Sequence, residues 1–458
     1  MIEKSKIQEL LDLGLSSGAT FCEIFFEDKL ARTTQSLNGL IMGASTANTY
    51  GAGVRILQNT DEVYGYTNDI SYESLKKIVY DLATSFKGEA RKSAPLGEAL
   101  KYKVKARIYG DKVAAAPKAR RLALLSSIIK NYDPRIVQGG ANLGEDVQKV
   151  LIVNSNGLYQ DDLRIRTRIA LLAVAADEKG MQDAYDAPGK GLGLEFLDTL
   201  DLEARARDVA ARSIAALSAE EMVSQTLPVV LHNGFGGVIF HEACGHPLEA
   251  TAVAKGLSPF VGKVGAPIGS PVVTAYDDAT LEGEWGYVRF DDEGNKGENK
   301  LLIKDGILQD YMVDYRNGIT MEHRPNGASR RQNYKFSPTS RMSSTFIAPG
   351  TSTFDEIIAS TKYGLFAKNL GGGSVDPASG QFNFSVSEGY MIEDGKLTHQ
   401  VRGATLVGNG ADVLFKIDMV GNNLTLGQGV CGSISGSVPT DVGQPTLRVS
   451  SMTVGGRK

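Results

Sequence analysis

Four Asx-Gly dipeptides, Asn38-Gly39, Asn156-Gly157, Asp305-Gly306 and Asp394-Gly395, stand between strand-like runs in this chain. A tight hairpin turn needs positive φ, which Asn or Asp followed by Gly adopts at least cost. A chain punctuated in this way folds by pairing successive strands antiparallel, and 52 glycines among 458 residues supply further turns. Leu163, Ile165, Thr167 and Ile169 alternate with Arg164, Arg166 and Arg168, the period of a strand with one apolar face.

Helical spacing of apolar residues interrupts the strands. Ile2 to Leu15 reads as an amphipathic opening helix, and Tyr72–Phe86 and Arg120–Tyr132 as two more. Short strands are expected at 21–26, 53–57, 63–66 and 150–153, and the stretch 88–117, rich in Pro, Gly and Lys, reads as a loop or linker. Leu202 to Met222 reads as a helix bridging two halves. From about residue 225 strands and Gly-containing turns dominate, with Phe354–Tyr363 as a lone helix. The expected architecture is α+β. An N-terminal mixed α/β domain spans 1–200, a bridging helix 201–224, and a Gly-rich, mostly antiparallel β domain 225–458.

Charge and composition exclude several classes. Lys and Arg number 49 and Asp and Glu 53, a net charge of −4 that gives no electrostatic reason to bind nucleic acid or an anionic membrane. The longest apolar run, Ile169–Ala176, is far short of the ~20 residues of a membrane-spanning helix. Three cysteines make no disulfide framework, and the charged N-terminus lacks a secretory cleavage pattern, so a cytoplasmic location is expected.

The chemically distinctive segment is Phe235–Pro247, which places His241, Glu242 and His246 together in a chain of only five histidines. Two imidazoles bind Zn²⁺, and an adjacent carboxylate takes a proton from the attacking water. The spacing H-E-x-x-H puts both rings on one helix face. Here it is H-E-x-x-x-H, and positions five apart lie roughly 140° apart on a regular helix. Gly245 and Pro247 flank His246 and would let the helix unwind, leaving His241 on the last regular turn and His246 on the departing backbone.

A catalytic zinc takes three protein ligands and keeps one position open. Cys431, set among Gly429, Val430 and Gly432, is the favoured third candidate, since the glycines allow close backbone approach. Cys244, His232, His323 and His399 are alternatives with plainer readings: a small residue in a packed helix, a polar strand end, a loop and a hairpin. Cys22, in the alternating run FCEIFF, reads as packing.

Other motifs carry less. Asp291-Asp292-Glu293-Gly294-Asn295 lacks the twelve-residue EF-hand pattern and reads as an acidic turn. Gly371-Gly372-Gly373-Ser374 has no following Lys and is no P-loop, and Gly408-Asn409-Gly410 lacks the third glycine and the helix of a dinucleotide site. Arg324, Arg330, Arg331 and Lys335 read as a basic, solvated loop. Gly-flanked strands leave an exposed edge suited to an extended peptide, and the segments around 371–380 and 405–411 are expected to line a cleft.

Taken together, GAGVRILQNTDEVYGYTNDIS, HEACGHPLEA, FDDEGNKGENKLLIKDGILQDYM, NLGGGSVDPASGQFNFSVSEGYMIEDGK, GATLVGNG and GVCGSISGSVPTDVGQPTLRVSSMTVGG resemble the TldD/PmbA (TldD/TldE) metalloprotease family nearly end to end, on its catalytic TldD side. The resemblance implies a zinc peptidase in which His241, His246 and Cys431 hold the metal and Glu242 is catalytic. It also implies a heterodimer with a PmbA/TldE-like subunit that lacks the metal motif and helps enclose the site, with a homodimer as the alternative assembly. The implied substrates are unfolded or extended peptides, including leader peptides of modified peptide antibiotics and a labile antitoxin. Ser433-Ile434-Ser435-Gly436 departs from the more polar stretch expected after the cysteine, which bears on substrate preference.

Two rival readings use the same residues. A non-catalytic peptide-binding or regulatory protein would carry a structural metal, but such sites take four protein ligands and no compelling fourth stands out. A cysteine hydrolase would need Cys244 or Cys431 paired with His246.

Overall fold

A computed structural model describes residues 2–376 and 380–456. Helix α1 (Lys4–Gly14) leads into β1 (Phe21–Leu37) and β2 (Leu40–Gln58), joined at Asn38-Gly39 with φ of 51° and 84°. β3 (Asp61–Thr67), α2 (Tyr72–Ala83), α3 (Ala115–Lys130), β4 (Ile136–Asn154), β5 (Tyr159–Asp177) and β6 (Gly180–Asp186) follow. The sheet is antiparallel in the order β3-β2-β1-β4-β5-β6, and Gly189–Lys190 adds a short pairing to β5. Its strands extend well past the apolar segments visible in sequence. Once a hairpin sets the register, each further residue pair adds ladder hydrogen bonds whether or not its side chains are buried. Residues 40–48 of β2 are exposed on this account.

Helices cover the sheet at both ends. Ile7, Leu10 and Leu11 of α1 and Leu75 and Val79 of α2 pack with Ile24, Val54, Ile56 and Val153. α3 and α4 (Leu202–Leu217) bury Leu122, Ile129 and Val209 with Leu143, Ile169 and Leu171. α4 ends at Leu217 and does not continue to Met222, because Glu220 and Glu221 pair with Val401 and Arg402 as a strand.

The rest of the chain builds a six-stranded and an eight-stranded sheet, mostly antiparallel, with a small two-stranded pairing beside them. In the six-stranded sheet Ser344–Ile347, Gly436–Gln444 and Thr425–Ser433 lie side by side, with Thr425–Ser433 as the terminal strand. In the eight-stranded sheet, Tyr363–Val375, Gln225–Leu231, Leu447–Gly455, Thr405–Asn409 and Gln381–Glu393 are successive neighbours. The last of these pairs back with the first, closing a ring. Val229, Leu231, Leu365, Phe382, Phe384 and Leu406 share one core with Phe240, Ala243 and Cys244 of the helical segment that carries the histidines.

Three expectations change. The helix at Phe354–Ala359 is not alone in this half, since Tyr315–Met321 and Gly410–Lys416 are also helical. Gly410–Lys416 arises where no helix was expected because the Asn409 side chain accepts from the Ala411 N–H at 2.9 Å and caps it. On the arginine face of β5, Arg164 donates to Asp292 Oδ1 at 2.6 Å, and Arg166 to the Trp285 carbonyl at 3.0 Å. Asp291, Asp292, Glu293, Arg330 and Arg331 are all buried, so the acidic turn and two members of the basic loop form an internal charge network. They come inside because each charged surface meets the other, which single-segment periodicity does not register.

Candidate metal centre

Gly234–Leu248 is a continuous helical segment, tight at its ends and widened at His241–Gly245 into a π-helical turn. The His246 N–H donates to the His241 carbonyl, an i→i+5 bond. Such a turn stacks residues five apart on one side, so H-E-x-x-x-H presents both imidazoles together. The expected unwinding does not occur. Gly245 (φ −58°, ψ −56°) and His246 (φ −59°, ψ −43°) remain helical, and the backbone turns extended only at Glu249 (ψ 131°). Gly245 serves close approach instead: a Cβ there would lie 2.2 Å from Met342 Sδ.

Cys431 arrives on the strand Thr425–Ser433, paired with Val438. Its Sγ lies 3.2 Å from Nε2 of His241 and 3.2 Å from Nε2 of His246. The three donor atoms fall within 4.8 Å of one another. With Zn–S near 2.3 Å and Zn–N near 2.0 Å, a tetrahedral angle would separate sulfur and nitrogen by roughly 3.5 Å. The observed spacing is within a few tenths of that span, and two imidazoles with one thiolate suit a borderline-soft divalent metal. The residues therefore fit a metal of this class. Buried His241 Nδ1 has no hydrogen-bond partner among the described residues, leaving Nε2 as the nitrogen engaged at the site.

Electrostatics favour the deprotonated sulfur. Burial pushes the Cys431 thiol up, but the His241 and His246 imidazoles outweigh it and bring the pKa down to about 4. Burial pulls His246 down, while Glu249 and then Cys431 raise it well above the usual histidine value. Glu249 Oε2 lies 3.1 Å from His246 Nδ1, which orients the ring with Nε2 toward the sulfur. Glu242 Oε2 lies 3.8 Å from His246 Nε2, and its side chain is partly exposed.

The remaining sequence candidates stand apart from the three donors. Cys244 Sγ faces the Gly410 carbonyl at 3.8 Å, and burial pushes its thiol up, as it does that of Cys22. His232 Nδ1 lies 3.2 Å from Thr446 Oγ1, with its ring edge-on to Phe354 and Phe366. His323 pairs with Asp310 and His399 lies near Glu220. Glu249, Arg341 and Met342 were missed by sequence reasoning. The motif His-Pro-Leu-Glu offered a signal for Glu249, three residues after His246, but nothing local marks the other two.

A cleft of about 840 Å³ runs beside the strand that carries Cys431, lined by Phe235, Gly371, Gly372, Gly427 and Gly429 among others. Gly371 and Gly372 belong to a strand rather than a loop, and residues 377–379 lie outside the described residues. None of the residues lining this cleft comes from 405–411.

Two histidines and a cysteine converging beside a glutamate, in a widened helix packed between sheets, are the equipment of a metallopeptidase. Residues 224–456 match the PmbA/TldA metallopeptidase C-terminal domain, 109–217 the central domain and 22–81 domain 1. The chain belongs to the PmbA/TldD metallopeptidase family. The metalloprotease TldD homolog of Haemophilus influenzae is 35% identical over 463 residues, spanning 98% of this chain and 95% of that protein. A zinc metalloprotease TldD homolog of Saccharolobus solfataricus is 26% identical over 290 residues, 63% of this chain and 64% of its own. TldE of Thermococcus kodakarensis has the same fold, with a TM-score of 0.77 at 18% identity, covering 98% of this chain and 100% of that one. Among the described residues no helix is long and apolar enough to cross a membrane.

Proposed function

We propose that this chain hydrolyses unfolded or extended peptides, with a zinc ion held by His241, His246 and Cys431. One observation carries the reading: three donor atoms converge within 4.8 Å although Cys431 lies 185 residues from His246. The chemistry a bound zinc supplies is Lewis acidity toward a carbonyl oxygen and a pKa of water lowered to about 7. Glu242 stands beside His246 with its carboxylate partly exposed. It takes the proton of the attacking water and passes it to the leaving amine. Glu249 fixes the His246 tautomer, so that its second nitrogen stays available as a donor.

An extended substrate finds main-chain partners on Thr425–Ser433, the terminal strand of its sheet, with Gly427 and Gly429 bordering the cleft. That mode of binding reads backbone more than side chains and suits leader peptides or labile small proteins. We further propose that the chain is the catalytic subunit of a heterodimer with a TldE/PmbA-type subunit. Support comes from the shared fold of the Thermococcus TldE and the family resemblance. Three free cysteines suit a reducing, cytoplasmic compartment.

Metal analysis by mass spectrometry tests the reading, on wild type purified without chelator and on Cys431→Ala. About one zinc per wild-type chain, lost in the variant together with cleavage of an unfolded peptide, is expected. Wild type that holds no zinc even when co-purified with its partner would refute the proposal.

A further inference from the structure

The described residues bury five arginines: Arg55, Arg166, Arg330, Arg331 and Arg341. Arg55 and Arg331 pair with Glu23, and Arg341 Nε faces Glu249 at 3.9 Å. Arg166 and Arg330 have no carboxylate within ion-pair range among the described residues. Arg166 donates from Nε to the Trp285 carbonyl at 3.0 Å and from Nη2 toward the Tyr287 carbonyl at 3.5 Å. Arg330 donates from Nη1 to the Met342 carbonyl at 2.7 Å. Arg166 Nη1 and Arg330 Nε and Nη2 bond to no described protein atom. Unlike the orphaned nitrogens of Arg55 and Arg331, they are not sealed in by protein.

Both side chains line the same cavity, of about 80 Å³, between β5 and the strand Gly436–Gln444. The two acids lining it are already engaged. Asp292 accepts from Arg164 Nη1 at 2.6 Å and from the Arg331 N–H at 2.6 Å. Asp291 accepts the backbone N–H groups of Glu293, Asn295 and Ser329. A buried guanidinium is strongly disfavoured unless an anion pairs with it, and this pocket concentrates two in that condition.

We propose that the cavity is a binding site for a small oxyanion of the class of inorganic phosphate or sulfate, held between the guanidiniums of Arg166 and Arg330. A cavity of about 80 Å³ matches two to three waters in volume, enough for a tetrahedral oxyanion and too small for a peptide segment. Guanidinium forks match such oxygens in pairs. Burial and the neighbouring arginines outweigh the attraction of Asp292 and, for Arg166, of Asp146 and Asp162, bringing Arg330 down to about 9 and Arg166 to about 10, the direction expected of cations with no carboxylate in direct contact. The anion bridges β5 of the first sheet to the segment that carries Met342, the residue beneath Gly245. Its effect is therefore on stability, and it does not depend on the zinc reading.

The test uses the full chain, with phosphate, sulfate and acetate each compared with chloride at matched ionic strength and pH. Equilibrium dialysis with labelled phosphate is expected to show one site per chain. Thermal unfolding should rise by about 3 °C and saturate at phosphate well above its dissociation constant. Sulfate should reproduce the rise and acetate should not. Arg330→Met and Arg166→Met should abolish binding, while Arg324→Gln, on the exposed part of the loop, should leave it unchanged. Absence of labelled phosphate on wild type overturns the proposal, as does a rise that grows with salt without saturating. So does Arg330→Met raising the unfolding temperature in phosphate and chloride alike, because removal of a cation with no counter-ion would then be the whole effect.

Discussion

Arg341 Nη2 donates to the carbonyl oxygen of Cys431 at 2.6 Å, and its Nη1 reaches Ser435 Oγ at 3.0 Å and the Gly436 carbonyl at 2.7 Å. The same guanidinium faces Glu249, whose other oxygen orients His246. One buried arginine therefore spans both segments that carry the proposed metal donors. Arg341→Met is expected to weaken zinc binding by roughly 10- to 100-fold, as loss of an outer-shell partner typically does. Competition against a chromophoric chelator reads this directly, and affinity equal to wild type would remove Arg341 from the site.

Glu242 approaches the proposed donors only at 3.8 Å, Oε2 to His246 Nε2, beyond hydrogen-bond distance, so its removal should spare them. Glu242→Gln is expected to keep the wild-type metal content and lose about 10²- to 10⁴-fold in peptide hydrolysis. A cleavage rate close to wild type in that variant would assign the proton transfer elsewhere.

The π-helical turn depends on Met342 packing where residue 245 has no side chain. Gly245→Ala places a Cβ 2.2 Å from Met342 Sδ and is expected to cost about 1–3 kcal/mol in denaturant unfolding. Gly245→Ala combined with Met342→Ala should recover part of that loss. A double variant whose loss equals the sum of the two single losses would show that the contact is not the cause.

Asp441 is fully buried, accepts from the Gly286 N–H at 2.7 Å and has one oxygen without a partner among the described residues. Burial pushes its pKa up to about 7. The folded value lies above the unfolded value of about 3.9, so the folded state binds the proton more tightly. The stability from this group is full below pH about 4 and falls as pH rises, until it is lost above about 7. Asp441→Asn is expected to gain on wild type as pH rises through these limits, by on the order of 4 kcal/mol at pH 8. Urea midpoints at pH 5 and pH 8 measure it, and a wild-type minus variant difference that is constant with pH would contradict it.

Much of the architecture is legible locally. The hairpins at Asn38-Gly39, Asp305-Gly306 and Asp394-Gly395 fall where positive-φ residues require them. The helices α1, α2 and α3 follow the spacing of residues such as Leu75 and Val79. Strand length is less legible, because pairing extends through exposed residues such as those of β2. The burial of Asp292 and Arg331 is not legible at all. A charged residue reads as solvated until its counter-charge is placed beside it, and here the partners Glu23 and Arg164 come from the first sheet.

His241, Glu242 and His246 were set as a group by the sequence alone, since they are neighbours in one motif and no folding is needed to associate them. Cys431 was a candidate among several until the strand Thr425–Ser433 brought its sulfur to 3.2 Å from both imidazoles. The helix geometry was likewise a tertiary decision. A five-residue spacing is wrong for a regular helix, and whether it unwinds or widens depends on what packs against Gly245. Met342 occupies that space from nearly a hundred residues away, and local propensity carries no information about a contact of that range.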